Sequence, residues 1–484
     1  MAHNGFDLAA AARREMVEAG FEPDFPADVQ QQLAGLLNRT APQAAGGVTD
    51  LRNLPWSSID NDSSRDLDQA EVAGRESGGI RIRVAIADVD VDVPAGSPID
   101  LHACKETTTV YTGVKTFPML PEQLSTDLTS LNENADRLAV VIDMVVADTG
   151  EISSPSVYRA LVRNQAQLTY NGVGPWLEGK AAAPPKVAAA SEFETQLKLQ
   201  DQAAQALRAA RYRLGALDID RVETEAMVSG GEVHDIAVRR RNRASELIED
   251  FMIAANETMA RTLAAAGVPS IRRIVKSPER WPRIVELAAR YGDALPATPD
   301  SAALNRFLQN RKQADETHYA DVSLAVIKLM GPGEYVVTRP GDPDPGHFAL
   351  AAHDYTHSTA PNRRFADLAT QRLIKATLAK EAPPYSYDQL ASIASNCTLR
   401  EDAARKVERA MNKRMAAVAF QHRIGESFDA VVTGATPKGV FVRVLDPPVE
   451  GRLMRGEHGI DVGDRVRVKL AATDPERGYI DFTR

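Results

Sequence analysis

The stretch GIRIRVAIADVDVDVP, residues 79–94, alternates apolar and polar positions, and RLAVVIDMVVAD at 137–148 does so before a polar turn. A period of two is the mark of strands that bury one face, so residues 49 to 170 read as sheet. Past residue 185 the rhythm changes. Residues 185–210 are rich in Ala and Gln, and RASELIEDFMIAANETMARTLAAAG is a long amphipathic pattern closed by Gly267, a C-cap residue. RFADLATQRLIKATLAK and SNCTLREDAARKVERAMNKRMAAVAFQHR read as two further helices. Strands first and helices after is the order of an α+β domain.

The two ends differ from this middle. DLAAAARREMVEAG and PADVQQQLAGLLNR predict two short helices, and TAPQAAGGVTDL is a linker of small residues, Pro and paired Gly. ESFDAVVTGATPKGVFVRVLD and GDRVRVKLAATDPERGYIDF hold five short strands with Gly/Pro turns, the pattern of a small oligonucleotide-binding (OB) barrel. The expected division is a helical module over 1–48, an α+β domain over 49–423 and an all-β barrel over 424–484.

At 484 residues the chain exceeds the usual size of one domain. Its net charge of −9 means that a nucleic-acid partner needs a local basic channel, since the overall field opposes it. Cys104 and Cys397 lie far apart, which excludes a disulfide framework and a CxxC-type zinc site and suits a reducing cytoplasm. The N-terminus carries charges where a signal peptide is apolar, and the longest apolar run, LAVVIDMVVAD, is broken by Asp143. The expectation is a soluble cytoplasmic protein with no membrane partner.

SIDNDSSRDLDQA, residues 58–70, crowds Asp60, Asp62, Asp66 and Asp68 into one polar loop. Like charges repel and raise one another's pKa, and a divalent cation among them relieves the repulsion. Hard oxygen ligands suit Mg²⁺ or Mn²⁺, and such a site drives attack of water on a phosphodiester. A solvated acidic loop or a calcium site fits the composition too, although the EF-hand spacing is not met. A second constellation, DYTHSTAPNRRFADLATQR at 354–372, puts Arg363 and Arg364 after a Pro-containing turn and before a helix. Arginines there grip phosphate, or are surface residues of an ordinary helix start.

Taken together, SIDNDSSRDLDQA, VAIADVDVDV, YTGVKTFPMLPEQLSTDLTSLN, RLGALDID, ELIEDFMIAANE, GHFALAAHDYTHSTAPNRRFADLATQR and REDAARKVERA resemble, in order, the ribonuclease II (RNB) family of 3′-to-5′ exoribonucleases. The resemblance implies an RNB catalytic domain of mixed sheets and helices. It implies processive hydrolysis of single-stranded RNA to nucleoside 5′-monophosphates, two Mg²⁺ ions and a monomer. Asp60, Asp66 and Asp68 then take three of four metal-ligating places, Asp68 being the most critical for cleavage. Arg363 stabilises charge on the phosphate. Tyr111 matches an aromatic base clamp, Glu408 a ribose contact, and Glu249 an RNA-facing acid. Arg364 joins Arg363 as a candidate for gripping RNA.

Three departures stand out against the family pattern. Gln69 occupies the fourth acidic place, and a neutral amide there weakens one metal, so the enzyme is expected to need more Mg²⁺ or to prefer Mn²⁺. Asp62, outside the pattern, is a candidate to turn inward and compensate. Ile219 stands where the clamp has a second aromatic, which implies a looser grip on short ends and a different limit product. The RRRNR run at 239–243 either lines an RNA channel or is a solvated face. In the barrel, Phe441 is the expected stacking ring, with Phe428 as core or second ring. About 48 residues cannot hold the paired cold-shock barrels that typical members carry, so the resemblance is to a short bacterial form, expected to progress further into paired RNA. The competing reading from another class is an RNA-binding or regulatory protein on the same scaffold, its catalysis weakened by Gln69. A phosphate-dependent exonuclease is disfavoured, because the matched family is hydrolytic.

Overall fold

The computed structural model describes residues 6–38, 42–44, 46–219, 223–229, 232–343, 345–436, 439–460 and 462–484 of the chain. Asp7 caps helix α1 (Leu8–Glu18), accepting from Ala10 N at 2.8 Å, and Leu8, Ala11, Ala12 and Met16 form its buried stripe. Helix α2 (Ala27–Leu36) follows Pro26 and buries Val29 and Leu33. The two stripes enter different hydrophobic cores. The two helices of the helical module expected over 1–48 do not pack as a unit, because each finds its apolar partner elsewhere in the chain.

The sheet is built from β1 (Thr49–Asp50), β2 (Trp56–Asp60), β3 (Gln69–Glu76) and β4 (Gly79–Ala87). After helix α3 (Pro98–Glu106) and a small ribbon, β5 (Val110–Tyr111) with β6 (Thr116–Phe117), come β7 (Asp136–Val146) and β8 (Ile152–Thr169). The strand order is β1-β8-β2-β3-β4-β7. β8 pairs antiparallel with β7 over 152–163 and parallel with β2 over 164–169, so the sheet curls back on itself. A Cβ on Gly79 would lie 2.2 Å from the Val146 carbonyl oxygen, so only glycine lets β4 start this close to β7. Asp143, the charge inside the apolar run of β7, sits opposite Arg83 and accepts from its Nε at 2.8 Å. It is a cross-strand partner.

Helices then cover the sheet. They are α4 (Tyr170–Leu177), α5 (Pro185–Ala188), α6 (Ser191–Arg213) and, beyond the hairpin of β9 (Glu223–Ser229) and β10 (Glu232–Arg239), α7 (Arg243–Ala265). Asn242 and Ser245 form a capping box at the start of α7, and Gly267 takes φ +71° past its end. Buried Asp250 on α7 pairs with Arg208 and Arg211 of α6. Strand β11 (Ser270–Ile274) precedes α8 (Trp281–Arg290), α9 (Ser301–Ala314) and α10 (Glu316–Met330), which enclose a small core of their own around Trp281, Ile284, Leu304 and Phe307. β12 (Glu334–Thr338) returns to pair with β11. Helix α11 (Phe365–Ala379) buries every residue from 365 to 374, and α12 (Tyr387–Phe420) runs 34 residues toward the C-terminal domain.

That domain is a closed barrel of β13 (Ser427–Thr436), β14 (Gly439–Val444), β15 (Glu450–Arg455), β16 (Arg465–Asp474) and β17 (Tyr479–Thr483), in the order β13-β14-β15-β17-β16. Its interior is continuous with α1 and with the far end of α12, through Met16, Met411, Phe420, Phe428 and Phe482. Phe428 is a core ring, 5.5 Å from Phe420 and 6.4 Å from Phe482 between centroids. Phe441 is half-buried on β14. The α+β domain and the five-stranded barrel expected from the sequence are both present. Among the described residues no helix is long and apolar enough to cross a membrane.

Candidate active site

The acidic loop leaves the sheet where β2 ends at Asp60 and re-enters it where β3 begins at Gln69. Its course is held by Ser130, whose hydroxyl accepts from Leu67 N at 2.9 Å and donates to Arg65 O at 3.0 Å. Against it lies the turn that starts α11. Asp68, 2% exposed, accepts from Asn362 N at 3.1 Å and from Arg363 Nε at 3.0 Å. Asp66 accepts from the Tyr111 hydroxyl at 3.1 Å, and Glu408 on α12 accepts from Tyr111 N at 3.1 Å. Segments nearly 300 residues apart thus meet in two hydrogen-bonded sets, Asp68 with Asn362 and Arg363, and Tyr111 with Asp66 and Glu408, and the charge of Asp66 acts on Asp68.

The electrostatics follow from burial. Loss of water pushes Asp68 up to about 7, with Arg363 opposing the shift and Asp66 adding to it. Burial raises Asp60 too, against the Asn61 amide, Ser64 and Arg363. Burial works against the charge on Arg363, but Asp68 and Tyr111 more than offset it, so the guanidinium stays cationic. Its side chain remains 43% exposed, leaving a face for an incoming anion.

In kind, these donors fit a hard divalent cation: they are carboxylates, and two of them are driven toward the neutral form by a penalty that a cation would remove. They are not gathered around one point. Among the described residues no three His, Cys, Asp or Glu side chains converge closely enough to hold a metal ion. Asp66 and Asp68 are turned instead to Tyr111, Asn362 and Arg363. Gln69 is buried, and among the described residues its amide makes one long contact, 3.5 Å to Ile59 O.

Two expectations need correction. Asp62 does not turn inward; it is exposed, and its Oδ2 accepts from Asn171 Nδ2 at 2.5 Å, because a loop tip satisfies its charge more easily at the surface. Arg364 does not face a phosphate either. Its Nε and Nη2 lie 2.8 and 2.6 Å from the oxygens of Asp367, which is fully buried and also accepts from Ala360 N at 2.9 Å. Arg364 shapes the turn that presents Arg363.

Ile219 and Glu249 come together elsewhere, lining a small pocket with Arg208, Arg211, Tyr212 and Arg241. Glu249 is ion-paired with Arg241, whose Nη1 also donates to Ile219 O at 3.2 Å. Arg241 of the basic run is thus a partner within this pocket. Sequence reasoning missed Asn362, buried beside Arg363 and accepting from the Thr129 hydroxyl at 2.6 Å. It also passed over Glu71, a fully buried carboxylate two residues beyond Gln69. An acid set among Ala70, Val72 and Ala73 was the available signal.

The model of the RNB domain matches residues 48–380, more than half of the chain. The chain belongs to the RNB family. An RNase II-type exonuclease C-terminal S1 domain is matched over 426–484, the span of the barrel. Among curated RNB relatives, Ribonuclease R of Escherichia coli is 30% identical over 502 residues, covering 95% of this chain and 60% of that protein. Ribonuclease R 1 of Lactococcus lactis is 29% identical over 491 residues, covering 95% and 59%. The chain therefore spans about 60% of the length of these relatives. Among solved structures, Mycoplasma genitalium RNase R in complex with double-stranded RNA is 25% identical with a TM-score of 0.88, covering 99% of this chain and 83% of that one. Yeast Ssd1, described as a pseudonuclease, shares the fold at 18% identity and a TM-score of 0.73, over 97% of this chain and 57% of that one.

Proposed function

We propose that this RNB-family chain is a divalent-metal-dependent 3′-to-5′ exoribonuclease that hydrolyses single-stranded RNA to nucleoside 5′-monophosphates. One observation carries the reading: Arg363, cationic and part-exposed, is held by buried Asp68 beside Asp66 and the exposed ring of Tyr111. Asp60, Asp66 and Asp68, with Gln69, are the residues that would hold Mg²⁺ or Mn²⁺. Such ions, when bound, activate water and neutralise the leaving 3′ oxygen.

The remaining roles belong to side chains of this chain. Tyr111 is 42% exposed and offers its ring to a terminal base, while Glu408 fixes its backbone and Asp66 its hydroxyl. Arg363 meets a non-bridging oxygen of the last phosphodiester and stabilises the charge that builds as water adds to phosphorus. The bond to the 3′ oxygen of the preceding nucleotide then breaks, and a mononucleotide leaves with the 5′ phosphate. Labelled single-stranded RNA tests this. Mononucleotides should accumulate with Mg²⁺ or Mn²⁺ and not with EDTA, and Arg363→Ala should lower turnover by about 100-fold or more.

A second reading has its own support. The carboxylates are not gathered, Gln69 lacks a charge, and the same fold occurs in a protein described as a pseudonuclease. If the chain bound labelled RNA but released no nucleotides under any metal condition, this reading, an RNA-binding protein, would replace the first.

A further inference from the structure

Thr129 and Ser130 are adjacent and buried, and their side chains reach different halves of the candidate active site. Ser130 Oγ accepts from Leu67 N in the acidic loop at 2.9 Å, and the Leu67 carbonyl accepts from Leu131 N at 2.9 Å. Leu67, the residue between Asp66 and Asp68, is thus bonded through both of its backbone groups. On the other side, the Thr129 hydroxyl donates to Asn362 Oδ1 at 2.6 Å, in the turn before α11. Asn362 N in turn donates to Asp68 Oδ1 at 3.1 Å. Three hydrogen bonds and the covalent pairs Leu67–Asp68 and Thr129–Ser130 therefore close a ring through Leu67, Ser130, Thr129, Asn362 and Asp68. No member of the ring is more than 4% exposed.

Hydrogen bonds shut away from water are costly to break, since a freed group finds no solvent to turn to. Asn362 depends on this ring in particular. Its Nδ2 is buried with no hydrogen-bond partner, so the contact with Thr129 is the one its side chain makes among the described residues. Asp66 and Arg363 stand one residue outside the ring on its two sides. The arginine turn is also tied to a further segment, with Thr109 N donating to Arg363 O at 3.0 Å and Phe365 N to Thr107 O at 2.8 Å. Loss of the Thr129 hydroxyl should therefore shift the turn rather than release it. We propose that Thr129 and Ser130 are positioning residues, which hold the Arg363 turn in register with the acidic loop. A displacement of about 1 Å at a reacting group costs on the order of 100-fold in rate, so a small loss of register is enough to matter. The effect on turnover rests on the exoribonuclease reading above; the mechanical link between the two segments does not.

Hydrogen–deuterium exchange of the RNA-free protein in EDTA tests the link. Ser130→Ala removes the acceptor of Leu67 N, and it should raise exchange at 360–364 as well as at 65–68. Thr129→Val should raise exchange at 65–68 as well as at 360–364. Changes confined to the segment that each side chain touches overturn the inference, and Ser130→Ala decides alone should the valine variant not fold. Turnover of labelled single-stranded RNA tests the consequence. Thr129→Val should lower kcat by about tenfold or more with KM altered by less than about twofold, and Thr129→Ser, which keeps the hydroxyl, should recover most of the loss. Added to Arg363→Ala, Thr129→Val should lower kcat no further, because it acts through that turn. An unchanged kcat in Thr129→Val, or an equal loss with and without Arg363, would leave the hydroxyl a merely structural role and end the proposal. If wild type releases no mononucleotides under any metal condition, the exoribonuclease reading falls and exchange alone decides the link. Mononucleotide release with exchange changes that stay local keeps that reading and removes this one.

Discussion

Arg363 leaves 43% of its side chain exposed while its Nε holds Asp68, whereas Arg364 turns to a carboxylate that is fully buried. The same residue type therefore does different work at adjacent positions, and substitutions should separate the two. Arg364→Ala strands the charge of Asp367 and should destabilise the fold by about 3 kcal/mol, read as a drop in the denaturant midpoint. Arg363→Ala also unpairs a buried carboxyl, but Asp68 is already pushed up to about 7 and takes a proton readily, so this variant should lose less stability than Arg364→Ala while losing turnover; equal losses of stability in both variants would contradict the division. In the pocket it shares with Glu249, Ile219 is half-buried, its N–H donating to Leu217 O and its carbonyl accepting from Arg241. A ring there would hold shorter ends, so Ile219→Phe should shorten the limit product on a sequencing gel, and an unchanged ladder would remove Ile219 from the RNA path. The acids at 60, 66 and 68 and the arginine at 363 were legible as candidates from residue type and order. The partners that decide their state, Asn362, Tyr111 and Glu408, come from remote segments, and no local pattern announces them.

Helix α1 was legible as a helix but not as part of the barrel's core. Its stripe of Leu8, Ala11, Ala12 and Met16 is indistinguishable in sequence from the stripe of any small helical module, and only packing shows that α12 and the barrel cover it. Met16, 2% exposed, is central to that contact. Truncating a buried Met to Ala leaves a cavity and typically costs about 2–5 kcal/mol, so Met16→Ala should destabilise the chain and increase amide exchange across 427–483. Exchange raised only within α1 would mean that the helix docks without supporting the barrel. The strands of the sheet were readable because one buried face imposes a period of two, and even the odd Asp143 proved consistent once Arg83 was found opposite it. The closing role of β8 was not readable: which strand pairs with both β7 and β2 depends on curvature accumulated over the whole sheet.

For the molecule as a whole, stability should depend on pH through histidines near the start of α11. Burial and the charge of Arg273 bring His347 down to about 4, and burial, Arg364 and Arg273 bring His357 well below its ordinary range. Unfolded imidazoles take up protons near pH 6.5, while the folded ones resist until lower pH, so acid favours the unfolded chain across that interval. For His347 alone the loss between pH 7 and 5 amounts to about 2 kcal/mol. The buried carboxyl of Asp250, raised to about 6 by burial against Arg211 and Arg208, acts with the opposite sign, so the histidine part has to be isolated by substitution. His347→Gln should show a smaller fall in urea midpoint over that range than wild type, and an identical fall would assign the dependence elsewhere. By itself the sequence determined the element types, the α+β order, the C-terminal barrel and the acids available for a cation, because periodicity, turn residues and charge spacing are local properties. Only the tertiary structure decided that Arg363 is presented while Arg364 is turned to Asp367, that Asp62 stays outside, and that Glu71 lies buried with no hydrogen-bond partner among the described residues. Those outcomes depend on which distant groups exclude water from each charge, and exclusion of water is a property of the folded whole.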